Sequence, residues 1–341
     1  MIEPRTLVIF NHRHLGDALG SMPALLALRK HWPKARIVVV AAPMPLDLFR
    51  HNPLADALIA HPKNWRGTLS ALWRVRREKP DVAVCLSGSI RVAVMARLCG
   101  AKVRAGYAPS KYTFPLTLKV HREGPPSLQL DLTMAQALGA PVVTDNYVGL
   151  LGITDDERAQ VGAWLKEHGA HGDKLVGINM GASVERRRWD VENFAAVCDQ
   201  LYKEARLIVF GGPSDKELVE KLQGLTRAPL LVAAGQFTPR QSAALMERCA
   251  TVVTSDTGPM HLAMAVNTPV VALFGLVPSS LRVPPGFGHI ALEHNAECLQ
   301  MEQPLCRYES HCKCLNAIKP TEIVAAARAQ LNRGRPATVN G

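Results

Sequence analysis

The chain has 341 residues, of which 48% are hydrophobic and 20% charged, as in globular proteins with about two domains. Its 40 Lys and Arg residues against 29 Asp and Glu give a net charge of +11, which favours an anionic partner. The first apolar run, 7–10, is too short for the core of a signal peptide, and no apolar stretch reaches the ~18 residues that span a membrane. We therefore expect a cytoplasmic protein without disulfides.

Apolar runs alternate with helical patterns through the first half of the chain. The predicted strands are 6–10, 35–43 and 81–87, and the predicted helices are 16–32, interrupted near Pro23, and 91–100. This alternating order predicts a parallel sheet with right-handed crossover connections.

The same pattern restarts after a connection at 143–156. Thr154 and Glu157 have the spacing of a capping box and Gly169 can end a helix, which predicts a helix over 154–169. The later predicted strands are 174–181, 206–212, 229–235 and 250–256, and the later predicted helices are 190–204, 214–224 and 238–249. We expect two similar α/β domains, 1–153 and 154–341, with the last helix free to pack back on the first domain.

The stretch SDTGPMHLAMAVNTPVVALFG, 255–275, reads as a turn and a short helix between two buried strands. Thr257 or Gly258 can cap this helix, and Pro259 suits its first turn, where a missing N–H costs nothing. The first turn then presents unpaired N–H groups and a partial positive charge at the carboxyl end of a parallel strand. Open α/β sheets bind ligands at that edge, and helix N-termini bind anions.

Two further side chains of this stretch suit a sugar-diphosphate. His261 points back toward the first turn, and the carboxylate of Asp256 accepts hydrogen bonds from sugar hydroxyls more readily than it accepts a phosphate. The alternative is that Asp256 and Thr257 only cap a crossover helix. His261 and the tight Gly-Pro turn favour a donor-binding site that includes Asp256, Thr257, Gly258 and His261.

Four segments, in order, resemble glycosyltransferase family 9, the ADP-heptose:lipopolysaccharide heptosyltransferases. The segment 255–275 is the most characteristic of them. The others are HRHLGDALGSMPALLALRKHWPKARI (12–37), NMGASVERRRWDVENFAAV (179–197) and FGGPSDKELVEKL (210–222). The resemblance implies a GT-B fold, in which two Rossmann-like domains with parallel sheets face each other across a cleft. It also implies an inverting transfer of heptose from ADP-heptose to the lipopolysaccharide inner core.

Such a transfer needs a base for the acceptor hydroxyl and positive charge for the departing diphosphate. The resemblance makes Asp17, in the Leu-Gly-Asp motif, the catalytic base. The alternative for Asp17 is a first-turn carboxylate stabilised by the helix dipole. The resemblance places Arg187 on the diphosphate and Ser183 near it, whereas one or two of Arg186, Arg187 and Arg188 can equally belong to a solvated loop.

The block that follows the Gly211-Gly212 turn offers a carboxylate for the nucleoside ribose. Asp215 is the first candidate and Glu217 the alternate, and a helix-capping role for Asp215 is an equal alternative. Because no Asp-x-Asp pair occurs, we expect catalysis to need no cofactor, with the helix dipole and basic side chains in place of a metal.

Acceptor contacts are expected from basic residues in the first half of the chain. The candidates Arg13, Lys111 and Arg122 stand among further basic residues, His12, His14, Lys119 and His121. They suit an anionic glycolipid met at the inner-membrane surface, and a generally basic surface is the alternative for each. The triplet 12–14 departs from the small residues usual at that place in the family, which leaves the acceptor open.

Four cysteines late in the chain, Cys298, Cys306, Cys312 and Cys314, have the spacing C-x7-C-x5-C-x-C. This is not a standard zinc spacing. A structural zinc or iron ion is one hypothesis, and four reduced thiols in a loop is the other.

Other function classes fit the sequence less well. A nucleic-acid-binding protein would explain the charge, but aromatic residues make up only 5% and no binding module is recognisable. An NAD enzyme would need a G-x-G-x-x-G motif after the first strand, and the sequence has none there. A sugar-nucleotide epimerase would share the expected fold and is a further alternative. A family 9-like transferase with another sugar nucleotide or a protein acceptor remains the nearest alternative, and the oligomeric state stays open.

Overall fold

The computed structural model describes residues 3–12, 14–62, 64–108, 116–121, 130–182, 187–275, 277–294 and 313–333. The chain divides into two compact units, Met1–Gly152 and Ile153–Gly341. Each unit has its own parallel sheet with helices around it.

The first unit is built on a parallel sheet of order β3-β2-β1-β4-β5-β6. Its strands are β1 (Thr6–Phe10), β2 (Arg36–Ala41), β3 (Ala57–Ala60), β4 (Val82–Cys85), β5 (Val103–Ala108) and β6 (Leu118–His121). Its helices are α1 (Leu15–Gly20), α2 (Met22–His31), α3 (Pro43–Leu46), α4 (Trp65–Arg77), α5 (Ile90–Leu98) and α6 (Leu130–Ala137).

The second unit repeats this topology with a sheet of order β12-β11-β10-β7-β8-β9. Its strands are β7 (Leu175–Asn179), β8 (Arg206–Phe210), β9 (Leu230–Val232), β10 (Thr251–Ser255), β11 (Val270–Phe274) and β12 (Ile290–Glu293). Its helices are α7 (Asp155–Glu167), α8 (Val191–Leu201), α9 (Lys216–Leu225), α10 (Pro239–Met246), α11 (Gly258–Ala265), α12 (Lys313–Ala317) and α13 (Pro320–Arg333). In both units the first strand lies between the second and the fourth, as in a Rossmann fold.

The central strands are buried along their whole length because helices cover both faces of each sheet. The last helix, α13, packs against α8 and over β10 and β11 of its own unit. Its residues Ile323, Val324 and Ala327 lie in the core of the second unit.

The predicted interruption of the first helix occurs two residues earlier than expected, at Ser21 between α1 and α2. Pro23 is the second residue of α2, a position where its missing N–H breaks no helical hydrogen bond. The Ser21 hydroxyl donates to the Ala18 carbonyl at 2.7 Å and accepts from the buried Asn11 amide at 2.8 Å. These bonds hold the break against the end of β1.

The predicted capping box at the start of α7 is confirmed. Thr154 Oγ1 accepts from the Glu157 N–H at 3.2 Å, and Glu157 Oε2 accepts from the Thr154 N–H at 2.9 Å. The same carboxylate also accepts from the buried Arg240 guanidinium at 2.6 and 2.8 Å, which ties α7 to α10. Burial raises the pKa of Glu157, but the hydrogen bonds from Arg240 and Thr154 outweigh it and the pKa is lowered.

We predict that Glu157→Gln destabilises the second unit by about 3 kcal/mol at pH 7, because it leaves the Arg240 charge buried without its partner. Since the folded-state pKa of Glu157 lies below the ordinary 4.5, the wild-type pair stabilises fully above that pH and loses its effect as pH falls. The difference between variant and wild type should therefore shrink below pH 4.5 in urea unfolding followed by circular dichroism. A difference that stays constant from pH 7 to pH 3 would contradict the charge-pair explanation.

Candidate functional site

Each sheet has a point where the connections from neighbouring strands turn to opposite sides, between β1 and β4 and between β7 and β10. Open α/β sheets bind ligands at the carboxyl ends of the strands beside this point. The described site residues of the second unit lie around the ends of β7, β8 and β10. Those of the first unit lie around the end of β1.

The start of α11 has the predicted geometry. Thr257 is the N-cap in extended conformation (φ −147°, ψ 172°), its side chain makes no capping bond, and Pro259 stands in the first turn. Thr257 and Gly258 are partly exposed at the end of the buried strand β10. The first-turn N–H groups of an eight-residue helix therefore open at the carboxyl edge of the sheet, as an anion site requires.

A residue that sequence reasoning missed, Asn179, holds this turn in place. It ends β7, is fully buried, and donates to Thr254 Oγ1 at 3.1 Å and to Thr257 Oγ1 at 3.2 Å. Its Oδ1 is buried without a hydrogen-bond partner among the described residues. A polar residue at the end of an apolar strand run is the signal that could have revealed it.

Arg187 and Asp256 come together, which the sequence did not predict. Arg187 Nη1 lies 3.4 Å from Asp256 Oδ2, and the arginine side chain is 30% exposed where the carboxylate is 8% exposed. Arg188 instead donates to the Ala182 carbonyl at 3.0 and 3.2 Å and so closes its own loop. Of Arg187 and Arg188, it is thus Arg187 that faces this edge of the sheet. Ser183 and Arg186 lie outside the described residues.

The side chain of His261 is buried and that of Asp215 is half-buried, so neither is fully open to a ligand. The His261 side chain belongs to the first turns of α11 but is buried, so that a ligand reaches little of it directly. Asp215 Oδ2 accepts from the Gly212 N–H at 2.8 Å, and a Cβ on Gly181 would stand 2.6 Å from the same oxygen. Asp215 therefore stabilises its own turn and also lies against the loop after β7, whereas Glu217 is exposed on α9.

In the first unit, Asp17 is the third residue of α1 and its side chain is exposed. Near the same edge, His12 Nε2 lies 2.6 Å from Asp131 Oδ2, and the Tyr107 hydroxyl donates to Asp131 Oδ1 at 2.9 Å. Asp131 is buried, so this pair holds the loop between β1 and α1 against α6 and β5. Asp131 and Tyr107 were missed because nothing local marks them.

The other predicted residues are only partly within the described chain. Arg13, Lys111 and Arg122 lie outside it, while His14, Lys119 and His121 are exposed. Cys298, Cys306 and Cys312 also lie outside it, whereas Cys314 is buried in the core of the second unit. Within the described ranges, no cluster of His, Cys, Asp and Glu could hold a metal ion.

The remaining cysteines are core residues, as predicted. Cys85, Cys99, Cys198 and Cys249 are all buried. Burial raises the pKa of the Cys85 and Cys198 thiols to about 12, which keeps both protonated. Among the described helices, none is both long and apolar enough to cross a bilayer.

The chain is similar to proteins of one family. The family model of glycosyltransferase family 9 (heptosyltransferase) matches residues 69–315. Lipopolysaccharide heptosyltransferase 3 of Escherichia coli is 27% identical over 285 residues, which cover 77% of this chain and 81% of the relative. A family 9 glycosyltransferase from Veillonella parvula has a TM-score of 0.82 at 27% identity, over 97% of this chain and 98% of that one. E. coli ADP-heptose lipopolysaccharide heptosyltransferase II has a TM-score of 0.77 at 22% identity, over 96% and 99%.

The family model covers more than half of the chain, and the solved structures share its fold over nearly the whole length. The predicted GT-B class is confirmed, with two Rossmann-like units that each carry a six-stranded parallel sheet among the described residues. The chain therefore belongs to glycosyltransferase family 9, the heptosyltransferase family, and is a glycosyltransferase.

Proposed function

We propose that the protein transfers heptose from ADP-heptose to an anionic lipopolysaccharide inner-core acceptor, with inversion at the anomeric carbon. The observation that carries this proposal is the open first turn of α11 with Arg187 beside it. The names of the relatives support the sugar and the acceptor class. We place the reaction in the cytoplasm, where the acceptor glycolipid is met at the inner-membrane surface.

Donor binding follows from the charges at the end of β10. The N-terminus of α11 and Arg187 both attract the diphosphate. At 3.4 Å the Arg187–Asp256 contact is a loose ion pair, which a diphosphate of higher charge can replace. Arg187 then moves to the phosphates, and the released Asp256 carboxylate accepts hydrogen bonds from the sugar hydroxyls.

The remaining donor contacts come from residues around the same edge. We assign Thr257, Gly258 and Ser183 to the phosphates and Asp215 to the ribose, with Glu217 as the alternate. His261 is buried and acts from behind the first turn.

The chemical step is a single displacement at the anomeric carbon, which is why the configuration inverts. Asp17 takes the proton of the acceptor hydroxyl as the new C–O bond forms. The bond to the diphosphate breaks, and ADP leaves with the electron pair, stabilised by Arg187 and the start of α11. Arg13, Lys111 and Arg122 are proposed to hold the anionic acceptor.

We predict that Arg187→Met raises the Kd for ADP by about 10- to 100-fold, because a charge-assisted bond of ~1.5–3 kcal/mol is lost. Asp256→Asn should leave ADP affinity equal or higher, because the asparagine competes less for Arg187, yet lower turnover with the sugar donor. Titration calorimetry measures the ADP affinity of both variants, and a transfer assay with the sugar donor measures turnover. Arg248→Met, which changes an exposed arginine of the same unit, is the control. Weaker ADP binding in Asp256→Asn would contradict the exchange of partners.

Catalysis is proposed to need no cofactor, because fixed positive charge in the protein serves the diphosphate. We predict that activity in EDTA stays within about twofold of the untreated enzyme. Thermal unfolding should be followed in the same samples, since a structural metal on the late cysteines would show there as lost stability. Loss of activity that Mg²⁺ restores, with stability unchanged, would contradict the proposal.

We predict that Asp17→Asn lowers kcat by about 10²–10⁴-fold, the usual contribution of a general base. ADP affinity should stay unchanged, because the proposed donor contacts belong to the second unit. Asp155→Asn is the matched control, since Asp155 is also an exposed first-turn carboxylate. Each substitution should cost only ~0.3–1 kcal/mol of stability. Near-normal turnover in Asp17→Asn would exclude Asp17 as the base.

A further inference from the structure

Two neighbouring helices of the first unit expose apolar side chains at regular spacing. Trp65 and Trp73 of α4 are 68% and 60% exposed. The exposed apolar residues of α4 and α5, here called the α4–α5 face, are Trp65, Leu69, Trp73, Ile90, Val94 and Leu98. On each helix they are four residues apart and so share one side.

These helices are firmly packed on their other sides. Ala71 and Val75 of α4 and Met95 of α5 are fully buried in the core of the first unit. Arg76 Nη1 of α4 donates to the Leu98 carbonyl of α5 at 2.7 Å, which joins the two helices. Each helix thus has one apolar side on the sheet and a second one in solvent, where a helix of a globular protein is normally polar.

The charges that α4 and α5 themselves carry are all positive. The two helices carry six arginines and no Asp or Glu, and the arginines are Arg66, Arg74, Arg76, Arg77, Arg91 and Arg97. The Arg77 guanidinium lies 4.6 Å from the centre of the Trp73 ring, and that of Arg66 lies 5.5 Å from the Trp65 ring. The cations therefore border the apolar stripe directly.

The combination of exposed apolar side chains and arginines determines which kind of partner fits the α4–α5 face. A second copy of the chain would bring arginines against arginines. A nucleic acid would neutralise the arginines but would leave Leu69, Ile90 and Val94 against a polar backbone. An anionic bilayer satisfies both, because tryptophan and aliphatic side chains enter the headgroup region while arginines reach the lipid phosphates.

We propose that the α4–α5 face binds the surface of membranes that contain anionic lipids. The contact is then made by side chains of folded helices that lie on the bilayer surface. This inference does not need the proposed activity, because vesicle binding is measured without sugar nucleotide or acceptor. The two proposals can therefore fail separately.

The test is sedimentation of the full chain with vesicles of phosphatidylethanolamine and phosphatidylglycerol, against vesicles of phosphatidylcholine alone. We expect binding to the anionic vesicles that weakens with added salt. The double variant Trp65→Gln/Trp73→Gln should lower the partition coefficient by about tenfold or more, since burial of each large apolar side chain is lost. Trp65→Phe/Trp73→Phe should keep most of the binding.

The matched control is Leu225→Gln, an exposed leucine of the second unit, which should bind as wild type. Arg66→Gln/Arg77→Gln should lower binding to the anionic vesicles and reduce its salt dependence. No binding to anionic vesicles, or equal binding by wild type and the tryptophan-to-glutamine variant, overturns the proposal. A wild-type dimer in sedimentation velocity that this variant abolishes also overturns it, in favour of a contact between copies.

Discussion

The turn from β10 into α11, which we propose as the donor site, depends on one buried amide. Asn179 reaches from the end of β7 to the hydroxyls of Thr254 and Thr257, and so fixes the turn from β10 into α11 relative to the neighbouring strand. A helix N-terminus binds an anion well only when its N–H groups converge on one place. Because Asn179 and Thr254 are fully buried, the bond between them is protected from competing water, and the same amide holds the Thr257 hydroxyl against the end of β7.

The first unit uses the same device with different partners. Asn11 directly follows β1 and donates its amide to Ser21, at the break between α1 and α2. In both units a buried asparagine lies at the end of the first strand or directly after it, and it anchors the following or neighbouring helix. The repeated topology thus extends to the polar side chains. The anchored helix α1 carries Asp17, whereas the first turn of α11 is open at the carboxyl edge of its sheet.

The sequence predicted the two-unit organisation and the strand–turn–helix at 255–275, because these depend on local periodicity and capping. It did not predict α4, because apolar residues on two sides of this helix hide the usual helical periodicity. It also did not predict β5, where Gly106 interrupts the apolar run. A Cβ at position 106 would stand 2.9 Å from the Leu116 methyl carbons, so that a side chain there would displace the end of Leu116. Of the site, Arg187 and Thr257 follow from motifs. Asp131 and Tyr107 act through partners far away in the chain, which no local pattern reveals, and Asn179 is marked only as a polar residue at the end of an apolar strand.

The close approach of Asp215 to Gly181 couples the loop after β7 to the turn after β8. The carboxylate occupies the space that any side chain at position 181 would need, 2.6 Å from its Cβ. An alanine at 181 therefore requires the Asp215 carboxylate to shift, which strains or breaks the hydrogen bond that it accepts from the Gly212 N–H. A substitution in the loop after β7 thus acts directly on the turn after β8, so the two loops are sterically coupled.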